Sequence, residues 1–70
     1  MEYLVVHFTE SRRVMVDGLF MGRTEEMLEL ERGYHDITLE TPSNFHPAVH
    51  SIVLQDTTLF APMEVCFEES

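Results

Sequence analysis

The sequence has no lysine and no tryptophan, and Cys66 is its only cysteine. Thirteen acidic residues face only four arginines, which gives a formal net charge of −9. Nucleic acids and anionic membranes bind basic surfaces, so this charge balance argues against both as partners. A lone cysteine cannot form a disulfide within the chain, and it fits a reducing compartment.

Long apolar runs are also missing. No stretch approaches the roughly 20 consecutive apolar residues that a membrane-spanning helix needs, and the opening MEYLVVHF has neither the basic nor the apolar region of a signal peptide. The sequence as given therefore predicts a cytoplasmic protein. Residues 1–70 can form one domain, and domains of this size usually need a disulfide, a metal or a partner for stability.

Glycine and proline are scarce, with three of each, so their positions are informative. Residues 13–24, RVMVDGLFMGRT, place Asp17-Gly18 between two apolar runs. Glycine adopts positive φ without a steric penalty and aspartate tolerates it, so this pair predicts the tight turn of a β-hairpin. Gly22 closes the second run, and Gly33 marks another turn. We expect Asp17, Gly18, Gly22 and Gly33 to define the fold.

The register of this hairpin is open at the level of sequence. A two-residue turn pairs Val14 with Met21, whereas a three-residue loop that ends in a glycine bulge pairs Val14 with Phe20. One residue of slip moves every side chain to the opposite face. In either register apolar side chains remain on both faces, so Met15 and Phe20 are candidates for a protein interface.

Alternating apolar and polar residues predict the other strands. The alternation is cleanest in residues 34–40, YHDITLE, and it recurs in residues 2–8, 48–55 and 63–68. With the hairpin, these segments predict about seven short strands separated by turns every ~8–12 residues. The predicted fold class is all-β, an antiparallel β-sandwich, with a small open barrel as the alternative.

Residues 25–31, EEMLELE, allow two interpretations. Glutamate, methionine and leucine favour a helix, but the stretch also alternates, and Gly33 leaves room for only two helical turns. We therefore interpret the stretch as a strand. A tight turn at Gly33 would then place Leu28 beside Ile37 in a second hairpin.

Turn and core residues follow one another in a set order in five segments: Val14–Gly18, Met21–Thr24, Leu28–Leu30, Gly33–His35 and Ile37–Leu39. That order resembles the PEGA domain family, whose pattern V-x-V-D-G-x-x-x-G-x-T-P is followed by L-x-L-x-x-G-x-H-x-V-x-V. The resemblance covers residues 12–67, nearly the whole chain. It implies a β-sandwich module of a kind commonly appended to bacterial and archaeal envelope proteins, without general catalytic activity. For a fragment of a longer chain, it implies an envelope-associated location.

Two further aromatic residues are candidates for binding. Tyr34 follows a predicted turn, and Phe45 lies between two prolines in the loop 41–47. Such side chains can stack on a sugar, form a subunit interface or cover the open end of a core. The candidate interface residues are therefore Met15, Phe20, Tyr34 and Phe45.

No spacing in the chain indicates a reaction. His46 and His50 are separated as in some metal sites, but no cysteine or acid is close in sequence to complete the ligand set. His35 is expected to form a hydrogen bond at a sheet end. Cys66 lies between Glu64 and Glu68 with no base close in sequence, so we expect a structural role. The sequence predicts no catalytic residue, no metal and no cofactor.

These observations predict a non-catalytic β-sandwich module that acts through protein–protein contact or self-association. The alternative is a carbohydrate- or peptide-binding module that uses the loop aromatics Tyr34 and Phe45.

Overall fold

The computed structural model describes all 70 residues and contains strands but no helix. Seven strands have four to seven residues, and two short ones, β6 and β9, have two residues each. Their bounds are β1 Glu2–His7, β2 Arg13–Val16, β3 Leu19–Arg23, β4 Met27–Leu30, β5 Gly33–Leu39, β6 Phe45–His46, β7 His50–Leu54, β8 Met63–Cys66 and β9 Glu68–Glu69. The chain therefore has no helix that could span a membrane.

Two sheets form the body of the protein. One has three strands in the order β4-β1-β8, and the other has four in the order β3-β2-β5-β7. The short strands β6 and β9 pair separately. Five of the six pairings are antiparallel, and β1 with β8 is parallel. The predicted antiparallel β-sandwich is confirmed, and the sheets do not close into a barrel.

The core lies between the two sheets and follows from the alternation in the sequence. Each main strand except β3 buries every second side chain and exposes at least part of the others. In residues 25–31 the strand interpretation is correct, because Leu28 and Leu30 are buried within β4. The thirteen buried apolar side chains form one cluster: Leu4, Val6, Phe8, Val14, Val16, Leu28, Leu30, Ile37, Leu39, Ile52, Leu54, Val65 and Phe67.

Asp17 and Gly18 form the tight turn between β2 and β3, with φ of +51° and +84°. Val16 lies opposite Leu19, as a two-residue turn requires. Asp17 also fixes the turn to the neighbouring strand, because its Oδ1 accepts a hydrogen bond of 2.9 Å from the backbone N–H of Asp36 on β5.

The hairpin then departs from both predicted registers. Met15 lies opposite Phe20, but Val14 lies opposite Gly22, so Met21 is an extra residue in β3. This bulge makes the predicted pairings of Val14 with Met21 or Phe20 wrong. It brings the glycine to the inner face, where a Cβ on Gly22 would overlap Leu28 Cδ2 of the other sheet. Gly22 thus leaves room for the Leu28 side chain where β3 faces β4.

The predicted second hairpin at Gly33 does not form. Leu28 lies opposite Leu4 on β1, whereas Ile37 lies opposite Val16 on β2. Gly33, with φ of +133°, begins β5 just after the chain crosses from one sheet to the other. Strands β4 and β5 each have one apolar face. Because the two strands lie in facing sheets, the apolar face of each is buried in the core between the sheets.

Candidate interaction surface

The four-stranded sheet exposes apolar side chains on the face that points away from the core. Met15 lies between two buried valines of β2 and therefore points outward. Phe20 lies opposite Met15 and is 51% exposed. Tyr34 on β5 lies opposite Val53 on β7, and these side chains are 62% and 57% exposed. We call Met15, Phe20, Tyr34 and Val53 the outer patch; the sequence predicted the first three.

Charges around the outer patch are balanced, although the whole chain is strongly acidic. The guanidinium of Arg13 lies 4.9 Å from the centre of the Phe20 ring, and Arg13 is opposite Arg23 on β3. Glu40 Oε2 lies 3.8 Å from Arg13 Nε, and Asp36 lies further along β5. Two arginines and two acids thus share this side of a molecule whose net charge is −9.

Phe45 does not belong to this surface. Its backbone pairs with Glu69, and its half-buried side chain packs against the core. The ring makes edge-to-face contacts with Phe8 and Phe67, with centroid distances of 6.2 and 5.5 Å. Phe45 therefore covers one end of the core. Because Tyr34 lies on the outer patch, the two loop aromatics do not share one binding platform.

A second exposed apolar feature was missed in the sequence. Leu59 and Phe60 form the tip of a tight turn between β7 and β8, closed by backbone hydrogen bonds of 3.2 and 3.1 Å between Thr58 and Ala61. Phe60 is 98% exposed and Leu59 is 57% exposed. The sequence feature that could have indicated this exposed tip is an apolar pair directly after the polar turn residues 56–58.

The outer face of the three-stranded sheet is acidic and carries a histidine between two glutamates. His7 Nδ1 lies 2.9 Å from Glu25 Oε1, and His7 Nε2 lies 2.8 Å from Glu64 Oε1. The hydrogen bonds to Glu25 and Glu64 raise the pKa of His7 above its usual value. The bonds that Glu25 accepts from His7 and from the Phe8 backbone N–H lower the pKa of Glu25.

Cys66 is exposed, and the histidine opposite it on β1 is already engaged. Cys66 lies opposite His7 in the parallel pairing of β1 and β8. A thiol needs a free imidazole nitrogen to accept its proton. Both ring nitrogens of His7 face carboxylates of Glu25 and Glu64, which favours the protonated imidazolium. In this arrangement His7 cannot act as a base for Cys66.

His35 forms a similar bridge beside the Asp17 turn. Its Nδ1 lies 2.8 Å from Asp17 Oδ2, and its Nε2 lies 2.7 Å from the backbone carbonyl oxygen of Glu31. Both partners accept hydrogen bonds, so together they favour the doubly protonated ring. The Glu31 carbonyl and then Asp17 raise the pKa of His35, and the bonds from the Asp36 backbone and from His35 lower the pKa of Asp17.

Arg12 is the one buried charged side chain, 8% exposed, and its burial was not predicted from the sequence. Its Nη1 donates hydrogen bonds of 3.0 Å to the carbonyl oxygens of Glu40 and Pro42, and its Nη2 donates one of 3.0 Å to Asn44 Oδ1. Nη2 also contacts the Glu10 carboxylate. Arg12 thereby holds the segment 40–44 against the end of the sandwich.

The remaining histidines do not form a metal site with other ligands. His50 Nε2 lies 2.8 Å from the carbonyl oxygen of Cys66 and therefore donates to it, which links β7 to β8. His46 lies on β6. No group of three or more His, Cys, Asp or Glu side chains is arranged to hold a metal ion.

Comparison with protein-family models, curated proteins and solved structures gives no significant match. The resemblance to the PEGA domain therefore stays a prediction that rests on the turn and core residues alone. The function must be argued from the surfaces described above.

Proposed function

We propose that this protein is a non-catalytic β-sandwich module that acts through protein–protein contact, including self-association, at the outer patch. The observation that carries the proposal is the exposure of Phe20, Tyr34 and Val53 on one sheet face, together with Met15. Aromatic side chains are enriched at protein interfaces and contribute much of the binding energy there. A PEGA-like module would fit this role.

Charge favours the four-stranded side for contact between two acidic molecules. The opposite outer face carries Glu25, Glu29 and Glu64, so two such faces would repel each other. Around the outer patch, Arg13 and Arg23 offset the nearby acids. A standard interface buries about 800 Å² per partner, or about a fifth of the 4311 Å² surface of this chain.

The non-catalytic part of the proposal is supported by the state of the reactive side chains. Cys66 is accessible, but His7 is held between two glutamates. His35 is likewise engaged at both ring nitrogens. Free imidazole nitrogens are what general base catalysis requires. The lone cysteine fits a reducing compartment, and a cytoplasmic location stays a prediction.

The outer patch can be tested with two phenylalanine variants. Phe20→Ser removes an aromatic side chain of the outer patch, and Phe60→Ser removes an equal side chain that is 98% exposed at the turn tip between β7 and β8. We expect the wild type to associate in size-exclusion chromatography with light scattering. Phe20→Ser should weaken association about tenfold or more, as for an interface hot spot, and Phe60→Ser should leave it unchanged.

Three results would contradict this proposal. The wild type could remain monomeric at high concentration and also bind no other protein in an interaction screen, so that Phe20→Ser and the wild type give the same result. Association could be lost in Phe60→Ser instead, which would move the contact to the turn tip. Finally, both variants could associate as the wild type does.

A further inference from the structure

One side of the sandwich is open along part of its length. Strands β3 and β4 are the edge strands that face each other on this side. They touch where Gly22 meets Leu28, but toward the Asp17 turn they separate and leave a cleft of about 300 Å³. On the other side of the sandwich, the hydrogen bond from His50 to the Cys66 carbonyl links β7 to β8. The cleft is therefore specific to the β3–β4 side.

The walls of this cleft are largely apolar, and its polar lining consists of the Asp17–His35 pair and two further acids. Leu19 and Met21 line it from β3, and Leu30 lines it from β4. The bulge at Met21 adds a side chain that a regular strand would not supply here. Glu29 and Glu31 also line the cleft, and neither carboxylate forms a hydrogen bond or ion pair within the chain.

The backbone of β3 provides a second binding element. One edge of β3 pairs with β2, and no backbone group of residues 19–23 bonds to any other strand or loop. An unpaired strand edge can add an extended peptide through main-chain hydrogen bonds, while alternate side chains of the peptide enter the neighbouring pocket. The exposed edge and the apolar cleft thus lie on the same strand.

We propose that the β3–β4 cleft binds an extended segment of a partner protein that carries an apolar and a basic side chain two residues apart, and therefore on the same face of the strand. The segment pairs with β3, places an apolar side chain between Leu19 and Leu30, and brings a lysine or arginine to Glu29 and Glu31. A second copy of this chain is a poor occupant, because it carries a net charge of −9 and no lysine. The cleft and the outer patch share strand β3 but use different residues of it, Leu19 and Met21 in the cleft and Phe20 in the patch. The inference does not require that the outer patch mediates contact.

Fluorescein-labelled heptapeptides provide the test, with anisotropy as the measurement. One set has valine, leucine or phenylalanine at position 3, arginine at positions 1 and 5 and threonine elsewhere, so that the apolar and basic side chains share one face of the strand. The matched set has glutamate in place of arginine. A third set carries N-methyl groups at alternate residues, which remove the main-chain donors needed for strand pairing. We expect an arginine peptide to bind, its glutamate analogue not to bind, and its N-methylated analogue to bind at least about tenfold more weakly.

A pair of double variants locates the site. Glu29→Gln with Glu31→Gln should weaken binding of the arginine peptide about three- to tenfold, since two exposed charge pairs are lost. Glu26→Gln with Glu68→Gln makes the same change in net charge away from the cleft and should have little effect. Amide resonances of Leu19 and Met21 should shift on binding, with smaller shifts at Tyr34 and Val53.

Four outcomes would overturn the inference. No arginine peptide binds at up to about 1 mM. The two double variants weaken binding equally, which would indicate general charge attraction. The N-methylated peptide binds as well as its parent, which would remove the role of β3. The resonances of Leu30 and Glu31 shift with protein concentration in the absence of peptide while those of Tyr34 and Val53 do not, which would make a second copy the occupant of the cleft.

Discussion

Replacement of Arg12 is expected to destabilise the protein more than any change on its surface. Arg12→Met keeps most of the aliphatic stem but removes three hydrogen bonds of 3.0 Å to Glu40, Pro42 and Asn44. Hydrogen bonds to charged groups contribute about 1.5–3 kcal/mol each, but such contributions are not additive. Because water can reach these half-buried acceptors, we expect a loss of about 3 kcal/mol in the free energy of unfolding.

That loss is large relative to the total stability. At about 0.05–0.15 kcal/mol per residue, 70 residues give roughly 3.5–10 kcal/mol. Arg12→Lys keeps the charge but cannot reproduce the planar fork of donors, so we expect an intermediate loss. Urea titration followed by far-UV circular dichroism measures both, and the absence of tryptophan makes dichroism the more suitable signal.

Arg32→Met is the matched control for this experiment. Arg32 is exposed, and its guanidinium has one long hydrogen bond of 3.4 Å, to Gln55. Its replacement should change the free energy of unfolding by no more than about 0.5 kcal/mol. A loss below about 1 kcal/mol for Arg12→Met, with an unchanged slope of the urea titration, would refute the reasoning. It would mean that water satisfies the three acceptors as well as the guanidinium does.

Two further predictions concern the bulge and the histidines. Gly22→Ala should cost about 1–3 kcal/mol because Leu28 must move. Both Gly22 and Gly18 have positive φ, so alanine is strained at either position. Only at Gly22 does the added Cβ also meet a side chain, so we expect the larger loss there in the same titration, and a larger loss for Gly18→Ala would contradict the contact with Leu28. His7 and His35 have raised pKa values in the folded state, so their stabilising effect is complete below their usual pKa of 6.5 and is lost as pH rises through the folded values. The melting temperature should therefore fall from pH 6 to pH 9. A double His7→Gln, His35→Gln variant should show a smaller fall in melting temperature over this range. If the fall is as large in the variant as in the wild type, other groups cause it. At the acidic end, the lowered pKa values of Asp17 and Glu25 mean that their contribution disappears as pH falls.

The sequence was sufficient to predict the strands and most of the core. Alternation placed Leu28, Ile37, Ile52 and Val65 on buried faces, because burial on one side of a strand imposes a period of two. The turn at Asp17 followed from local backbone preferences. These features depend on residues that are close together in the chain.

Features that depend on distant residues could not be predicted in this way. The β4–β5 hairpin failed because Gly33 marks a turn equally well whether the chain stays in a sheet or crosses to another. Arginine side chains are seldom buried, and three of the four partners of the Arg12 guanidinium lie 28 to 32 residues away in the chain. Met21 and Leu19 looked like ordinary hairpin residues, and only the separation of β3 from β4 makes them walls of a cleft.

The parallel pairing of β1 with β8 has a consequence for folding during synthesis. β1 is the central strand of its sheet, and one of its two neighbours is made about 60 residues later. During synthesis, the first strand leaves the ribosome long before the strand that completes its sheet. We expect nascent chains that end before residue 63 to be captured by chaperones or cleaved by proteases, and native structure to appear only after the last residues emerge.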